Sequence, residues 1–224
     1  MDRTTGLIER VLTNPDRSDL DELANELLSE YHRGSDVSSL RNLLHSGDHR
    51  IVACSTWIAC ELGEVGKPLL PEVKYLLGHP SKRVRFWAIE CVQEWAGPSN
   101  GYEIASAVSL VDDAEEAVRW KAMVFLALAS REQLQAGVDR LTAADPESPY
   151  LAELKWILAP EGADPDQIAG TVQGTSSRRR KFAAAAAFRI AKTDPQPLQR
   201  AASAHDPEIA QFAGDMLERR QSAM

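Results

Sequence analysis

Residues 83–88 read RVRFWA and residues 117–122 read AVRWKA, so a segment with valine, arginine and alanine at matching places occurs twice. Related segments occur along most of the chain, and aligning them makes six positions equivalent, which we call the anchors: Ile51, Val84, Val118, Tyr150, Arg179 and Ile209. Successive anchors are 33, 34, 32, 29 and 30 residues apart. A nearly constant period of this length is typical of a stack of helix pairs.

Each repeat is predicted to contain a short first helix and a longer, alanine-rich second helix. The first helices are expected at residues 37–45, 67–77, 101–110, 131–142, 165–173 and 196–204. The second helices are expected at residues 49–62, 81–96, 114–129, 148–158, 177–192 and 207–220. Several begin where a capping residue precedes proline, as in Asp164-Pro165 and Asp206-Pro207, which favours a helix start. No segment alternates with a period of two, so the sequence predicts no sheet.

Two further helices are predicted ahead of the repeats, at residues 7–12 and 19–31. Residues 1–36 contain nine acidic and four basic side chains. The end unit of a helical stack has no neighbour on one side and needs a polar outer face, so we interpret this segment as an acidic cap. The sequence thus predicts one domain over residues 1–224, with a cap at 1–36 and six helical-hairpin repeats at 37–220.

The repeat pattern resembles the HEAT repeat, in the short form found in phycobilin lyases and many bacterial proteins. The resemblance is carried by residues 83–88, 116–122 and 206–209 and extends over about residues 37–220. It implies an all-α fold, a right-handed α-α superhelix in which the second helices line the concave face. The family pattern specifies architecture and leaves the function to individual side chains.

Charge and composition narrow the classes of partner. The chain of 224 residues has a formal net charge of −8 at pH 7, which disfavours a nucleic acid partner. A protein with a basic surface, or a small ligand, fits this charge better. The three cysteines, Cys54, Cys60 and Cys91, form no CxxC pair and read as buried, reduced thiols. Without a signal peptide or a membrane-spanning stretch in the sequence, we expect a cytoplasmic protein with no membrane contact.

Candidate binding residues follow from the offset of each position from the anchor of its helix. If offsets 0, 4, 7, 8 and 11 are buried, offsets 3, 6 and 10 lie on the opposite face. The binding residues predicted on this concave face are Trp57, Glu61, Trp87, Glu90, Glu94, Lys121, Trp156, Phe182 and Phe212. Tryptophan beside carboxylates suits a cationic group of a partner. In the alternative, the rings pack against the next repeat and the carboxylates pair within the chain.

A run of four basic residues, Arg178, Arg179, Arg180 and Lys181, is the second candidate site. It lies at the start of a second helix, where backbone N–H groups favour anions, so a phosphate or an acidic segment could dock there. The alternative is that these side chains neutralise nearby acids, which are frequent between residues 145 and 166. His45 and His49 are four residues apart, but Gly47-Asp48 interrupts the helix between them, and a two-histidine metal site there is the alternative left open. A GxSxG motif and a glycine-rich phosphate loop are absent from the sequence, so we predict no metal, no cofactor and no catalytic residue.

These observations favour a non-enzymatic module that binds another protein on its concave face. A small acidic chain of this kind suits an inhibitor, for example an immunity protein that neutralises a basic toxin. Two enzymatic alternatives remain open. HEAT-like DNA glycosylases hold cationic bases with tryptophans and a carboxylate, although the charge of this chain disfavours a DNA groove. The resemblance to phycobilin lyases offers a chromophore-binding protein as the other alternative, and a structural subunit of a larger complex is a further one.

Overall fold

The computed structural model describes residues 3–13, 19–159 and 163–222. Within these ranges all regular structure is helical, in fourteen α-helices and three short 3₁₀ segments. This confirms the predicted all-α fold of helical hairpins. Part of the predicted acidic cap, at residues 1–2 and 14–18, lies outside the described residues. None of the described helices combines the length and the apolar character that a membrane crossing requires.

The first of two compact units ends at Ala96, and its described residues form six α-helices. They are α1 (Arg3–Thr13), α2 (Leu20–His32), α3 (Arg41–Leu44), α4 (His49–Glu61), α5 (Leu70–Leu76) and α6 (Lys82–Trp95), with 3₁₀ segments at Val37–Leu40 and Gly63–Leu69. Contacts follow chain order: α1 packs on α2, α2 on α4 and α4 on α6, while α3 and α5 cover their own partner helices. Unit 1 is therefore a stack of successive hairpins, as the repeat predicts.

Trp95 of α6 packs against the 3₁₀ segment at Gly63–Leu69. Its ring is buried, and its Nε1 donates to the carbonyl oxygen of Gly63 at 2.7 Å. Gly66 lies against this ring, since a Cβ built there would be 2.4 Å from Trp95 Cζ2 and 2.8 Å from the carbonyl oxygen of Ala59. Only glycine leaves room for this contact. The anchors Ile51 and Val84 are buried, as expected.

The second unit begins at Gly97, and the part of it that the structure describes has eight α-helices. They are α7 (Gly101–Ser109), α8 (Glu116–Leu128), α9 (Arg131–Ala144), α10 (Pro149–Leu158), α11 (Pro165–Val172), α12 (Ser177–Ile190), α13 (Gln196–Ala202) and α14 (Pro207–Ser222), with a 3₁₀ segment at Leu110–Asp112. Each predicted second helix is present within two residues of its expected bounds.

Helix α12 is the centre of unit 2, and it changes the packing that a regular stack predicts. Residues 181–187 of α12 are all buried, including the five alanines at 183–187. The helix contacts α8, α10, α11, α13 and α14, and α8 packs mainly against α12 rather than against the next second helix, α10. A run of alanines lets helices approach closely, whereas α10 carries the larger Leu154 where the other repeats have serine or alanine. In unit 2 the second helices α8, α12 and α14 therefore all contact one another, and α10 contacts α12.

Three arginines that directly follow an anchor fasten the turn before their helices in the same way. The Nη1 group of each donates to the carbonyl oxygens six and five residues earlier: Arg85 to His79 and Pro80, Arg119 to Asp113 and Ala114, Arg180 to Gly174 and Thr175. The repeated geometry supports the alignment of the anchors. The alignment includes Arg179 as an anchor, although its side chain is only half-buried, whereas an aliphatic anchor would be buried.

Candidate binding surface

Three of the five tryptophans are buried or make a hydrogen bond or cation–π contact within the chain, whereas Trp87 has an edge-to-face contact with the neighbouring ring of Phe86, with centroids 5.0 Å apart. Trp95 is buried in unit 1 as described above. Trp120 donates through Nε1 to Asp215 Oδ2 at 2.9 Å, which joins α8 to α14. The ring of Trp156 lies under the guanidinium of Arg179, with 4.2 Å between the guanidinium carbon and the ring centroid. These contacts give the three rings a structural role.

The other two tryptophans, Trp57 and Trp87, are half-buried, and their indole N–H groups have no hydrogen-bond acceptor in the described ranges. Trp57 and Glu61 are one turn apart on α4, and Trp87 shares a face of α6 with Glu90 and Glu94. We call these five residues the acidic tryptophan face. Helices α4 and α6 pack together, and Trp57 and Glu90 have the same offset from their anchors, as do Glu61 and Glu94.

The acidic tryptophan face carries negative charge that is available to a ligand. Glu61 and Glu94 are exposed, and neither forms an ion pair or a hydrogen bond with another residue that the structure describes. Glu90 is half-buried. An aromatic face beside carboxylates attracts a cation through both the ring quadrupole and Coulomb forces.

The cysteines near this face are poor nucleophiles. Burial raises the pKa of the Cys54 thiol to about 11, and the charge of Asp21 adds to the effect. Burial also raises the pKa of Cys91, with further contributions from a hydrogen bond with Cys60 and from Glu94. Since the thiolate is the reactive form, these shifts keep both thiols protonated at neutral pH. The thiols therefore add no nucleophile to this surface.

In unit 2 the structure corrects the expected exposure of three candidate residues. Phe182 and Phe212 are 0% exposed and Lys121 is 8% exposed, so all three are buried. The expectation that they face solvent is wrong because α12 and α14 pack onto α8 and cover the inner helix faces. Trp156 stays half-buried beneath Arg179. The acidic tryptophan face of unit 1 is the part of the predicted surface that remains accessible.

The predicted anion site is occupied by acids of the chain itself. Arg178 Nε donates to Asp112 Oδ2 at 2.6 Å, and its guanidinium lies over the ring of Tyr150. Arg179 pairs with Glu153. These contacts favour the alternative in which the basic run neutralises acidic neighbours.

The remaining two basic side chains of the run behave in the same way. Arg180 donates through Nε and Nη2 to Asp206 Oδ2, at 3.2 and 2.7 Å. Lys181 is buried, and its Nζ donates to the carbonyl oxygen of Val111 at 2.6 Å, with Asp112 Oδ1 3.6 Å away. All four cations of the predicted site thus have acceptors inside unit 2.

A pair of histidines marks the start of α4 and the turn before α6. The rings of His49 and His79 meet edge to face, with centroids 4.9 Å apart, and His79 Nδ1 accepts from the backbone N–H of Ser81 at 3.1 Å. Burial, the charge of His49 and the charge of Arg85 lower the pKa of His79. In the described part of the chain, no cluster of three or more histidine, cysteine, aspartate or glutamate residues has a metal-binding arrangement.

Comparison with known proteins gives a likeness to solved structures alone. No family model matches the sequence, and no curated protein matches it. Among solved structures, the chain is similar to a designed armadillo repeat protein in complex with the peptide (KR)4, with 18% sequence identity and a TM-score of 0.49. The match covers 97% of this chain and 99% of that chain.

Proposed function

We propose that this chain is a HEAT-like helical-repeat module that binds another protein, and that the acidic tryptophan face of unit 1 receives a basic segment of the partner. The observation that carries the proposal is the pair of half-exposed tryptophans, Trp57 and Trp87, beside the exposed carboxylates of Glu61 and Glu94. Neither the two indole N–H groups nor the two carboxylates have a hydrogen-bonding partner in the described residues.

Known magnitudes support a cationic ligand at this face. A lysine or arginine over a tryptophan ring contributes about 0.5–1 kcal/mol when exposed and about 2 kcal/mol when desolvated. Trp57 and Trp87 lie on adjacent packed helices, whose axes are about 8–10 Å apart. Side chains on one side of an extended peptide recur about every 7 Å, and those of a polyproline-II segment about every 9 Å. Two basic residues two or three positions apart can therefore reach both rings.

Calorimetric titration with an octapeptide of alternating lysine and arginine tests the proposal. We expect Trp57→Ala/Trp87→Ala and, separately, Glu61→Gln/Glu94→Gln to weaken binding at least about tenfold, which is about 1.4 kcal/mol. The matched control is Glu116→Gln/Glu147→Gln, which removes two exposed charges from unit 2. If the control variant weakened binding equally, the peptide would be attracted by the net charge of the chain and not by this face, which would contradict the proposal. Unchanged binding by the tryptophan variant would refute the proposed face.

The proposal includes a narrower version, in which the partner is a basic toxin and this chain is its inhibitor or immunity protein. The net charge of −8 supports that version. The cytoplasmic location, the glycosylase alternative and the chromophore-lyase alternative stay predictions. Release of a base from alkylated DNA would establish the glycosylase, and uptake of a bilin would establish the lyase relative.

A further inference from the structure

A cavity of about 710 Å³ lies in unit 2 where helices α8, α12 and α14 end. Its walls include four cationic side chains, Arg189, Lys192, Arg219 and Arg220, and the apolar side chains of Leu128 and Phe188. No acidic residue is among its described lining residues. Sites for small molecules typically measure about 300–1,000 Å³ and combine apolar walls with a few polar groups. The size and lining of this cavity match that pattern.

Arg189 is held in place within the cavity wall by the end of α8. Its Nη1 donates to the carbonyl oxygens of Leu126 at 3.0 Å and Ala129 at 2.6 Å. These bonds use one nitrogen of the guanidinium. The Nε and Nη2 groups form the planar edge that binds a carboxylate or phosphate with two parallel hydrogen bonds. Arg189 forms no ion pair in the described ranges, so this edge has no acidic partner there.

The cations around the cavity form no ion pair with an acid of the described residues. Lys192, Arg219 and Arg220 also form no ion pair with the rest of the described chain. Burial lowers the pKa of Arg189, and the positive charge of Arg131 lowers it further. Each helix C-terminus supplies only about half a negative charge, so three of them offset less than half of the four cations. The basic run at the other end of α12 differs, because each of its cations has an acceptor.

We propose that this cavity binds a small organic anion that carries at least two phosphate or carboxylate charges next to an apolar or aromatic group. The edge of Arg189 receives one acidic group, and the exposed cations receive the other. Phe188 and Leu128 contact the apolar part. This site has the opposite charge to the acidic tryptophan face and does not depend on the proposed function.

Titration at low salt with chosen probes tests the site and its chemistry. The phosphate arm uses ADP, with adenosine and inorganic pyrophosphate as its separate halves, and the carboxylate arm uses phthalate. We expect ADP, phthalate or both to bind, and ADP to bind more tightly than either of its halves. Raising the salt from about 50 to 500 mM should weaken binding, because the exposed cations are screened. Failure of both ADP and phthalate to bind at about 10 mM, or equal binding of adenosine and ADP, would overturn the proposal.

A pair of variants with equal charge change locates the binding. Arg219→Gln/Arg220→Gln removes two cations from the cavity, and Arg140→Gln/Lys155→Gln removes two exposed cations elsewhere in unit 2. We expect the first to weaken binding at least about tenfold and the second to change it less than about twofold. Circular dichroism checks that both variants are folded. If Arg219→Gln/Arg220→Gln is unfolded, the single change Lys192→Gln at an exposed residue replaces it, and we expect that change to weaken binding about threefold. Equal effects of the cavity and control variants would overturn the assignment.

Discussion

Replacing Phe182 with alanine tests whether this ring is part of the core of unit 2, in contrast to the accessible rings of Trp57 and Trp87. Phe182 is 0% exposed, in a helix that packs against five others. The residues that follow it, 183–187, are alanines, which have no side-chain rotamers with which to fill the space that the ring leaves. We therefore expect a loss in the upper part of the usual range for buried phenylalanine, about 3–5 kcal/mol of unfolding free energy.

Urea unfolding followed by circular dichroism measures this loss as a lower midpoint at unchanged slope. Trp57→Ala is the comparison, because its half-exposed ring should contribute less than about 1.5 kcal/mol to stability. Folded Phe182→Ala protein should bind the basic peptide as tightly as the unmodified protein does, whereas Trp57→Ala should bind it more weakly. A loss below about 0.5 kcal/mol for Phe182→Ala would refute the placement of this ring in the core.

Two further perturbations probe the backbone packing and the acid response. Gly101→Ala should destabilise unit 2 by about 1–3 kcal/mol, because the new Cβ would lie 2.4 Å from the carbonyl oxygen of Ala136, whereas Gly170→Ala, with nothing within 4 Å, should stabilise it by about 0.5–1 kcal/mol. Thermal unfolding of both variants checks the contrast, and equal shifts would contradict the close approach of α7 and α9. Because burial lowers the pKa of His79 below 6.5, the unfolded state binds the proton first, so stability should fall as the pH drops from about 6.5 through the folded pKa. His79→Asn, whose amide oxygen can still accept from Ser81, should flatten that pH dependence of the melting temperature, and an unchanged slope would contradict the assignment.

The sequence predicted helices more successfully than the faces those helices expose. Periodicity and capping residues act locally, so α10 and α12 form where expected although their anchors are Tyr150 and Arg179. The offset from the anchor identifies one face of a helix but does not identify which helix covers it. In unit 1 the helices stack in chain order, and Trp57 and Trp87 remain accessible. In unit 2 the same reasoning failed for Phe182, because the alanine run brings α12 against α8.

The pairing of charged side chains was the other property that the local sequence could not predict. Arg178 finds its acid at Asp112, 66 residues away, and no pattern in the sequence indicates that pairing. The cavity cations Arg189 and Arg219 share the same offset, ten residues after their anchors, and this was a signal in the sequence. What the sequence could not show is that neither forms an ion pair with another residue the structure describes, since that depends on how three helix ends meet.

The ties between α8 and α14 have a consequence for how the chain folds during synthesis. In unit 1 the long-range side-chain bonds span about one repeat, as in Trp95 to Gly63, 32 residues apart. In unit 2 Arg119 binds Glu208 and Trp120 binds Asp215, across 89 and 95 residues. Contacts between distant segments slow folding, because a long loop must close before they form. Unit 1 can therefore complete its bonds repeat by repeat on the ribosome, whereas α8 must wait for the last helix of the unit to emerge.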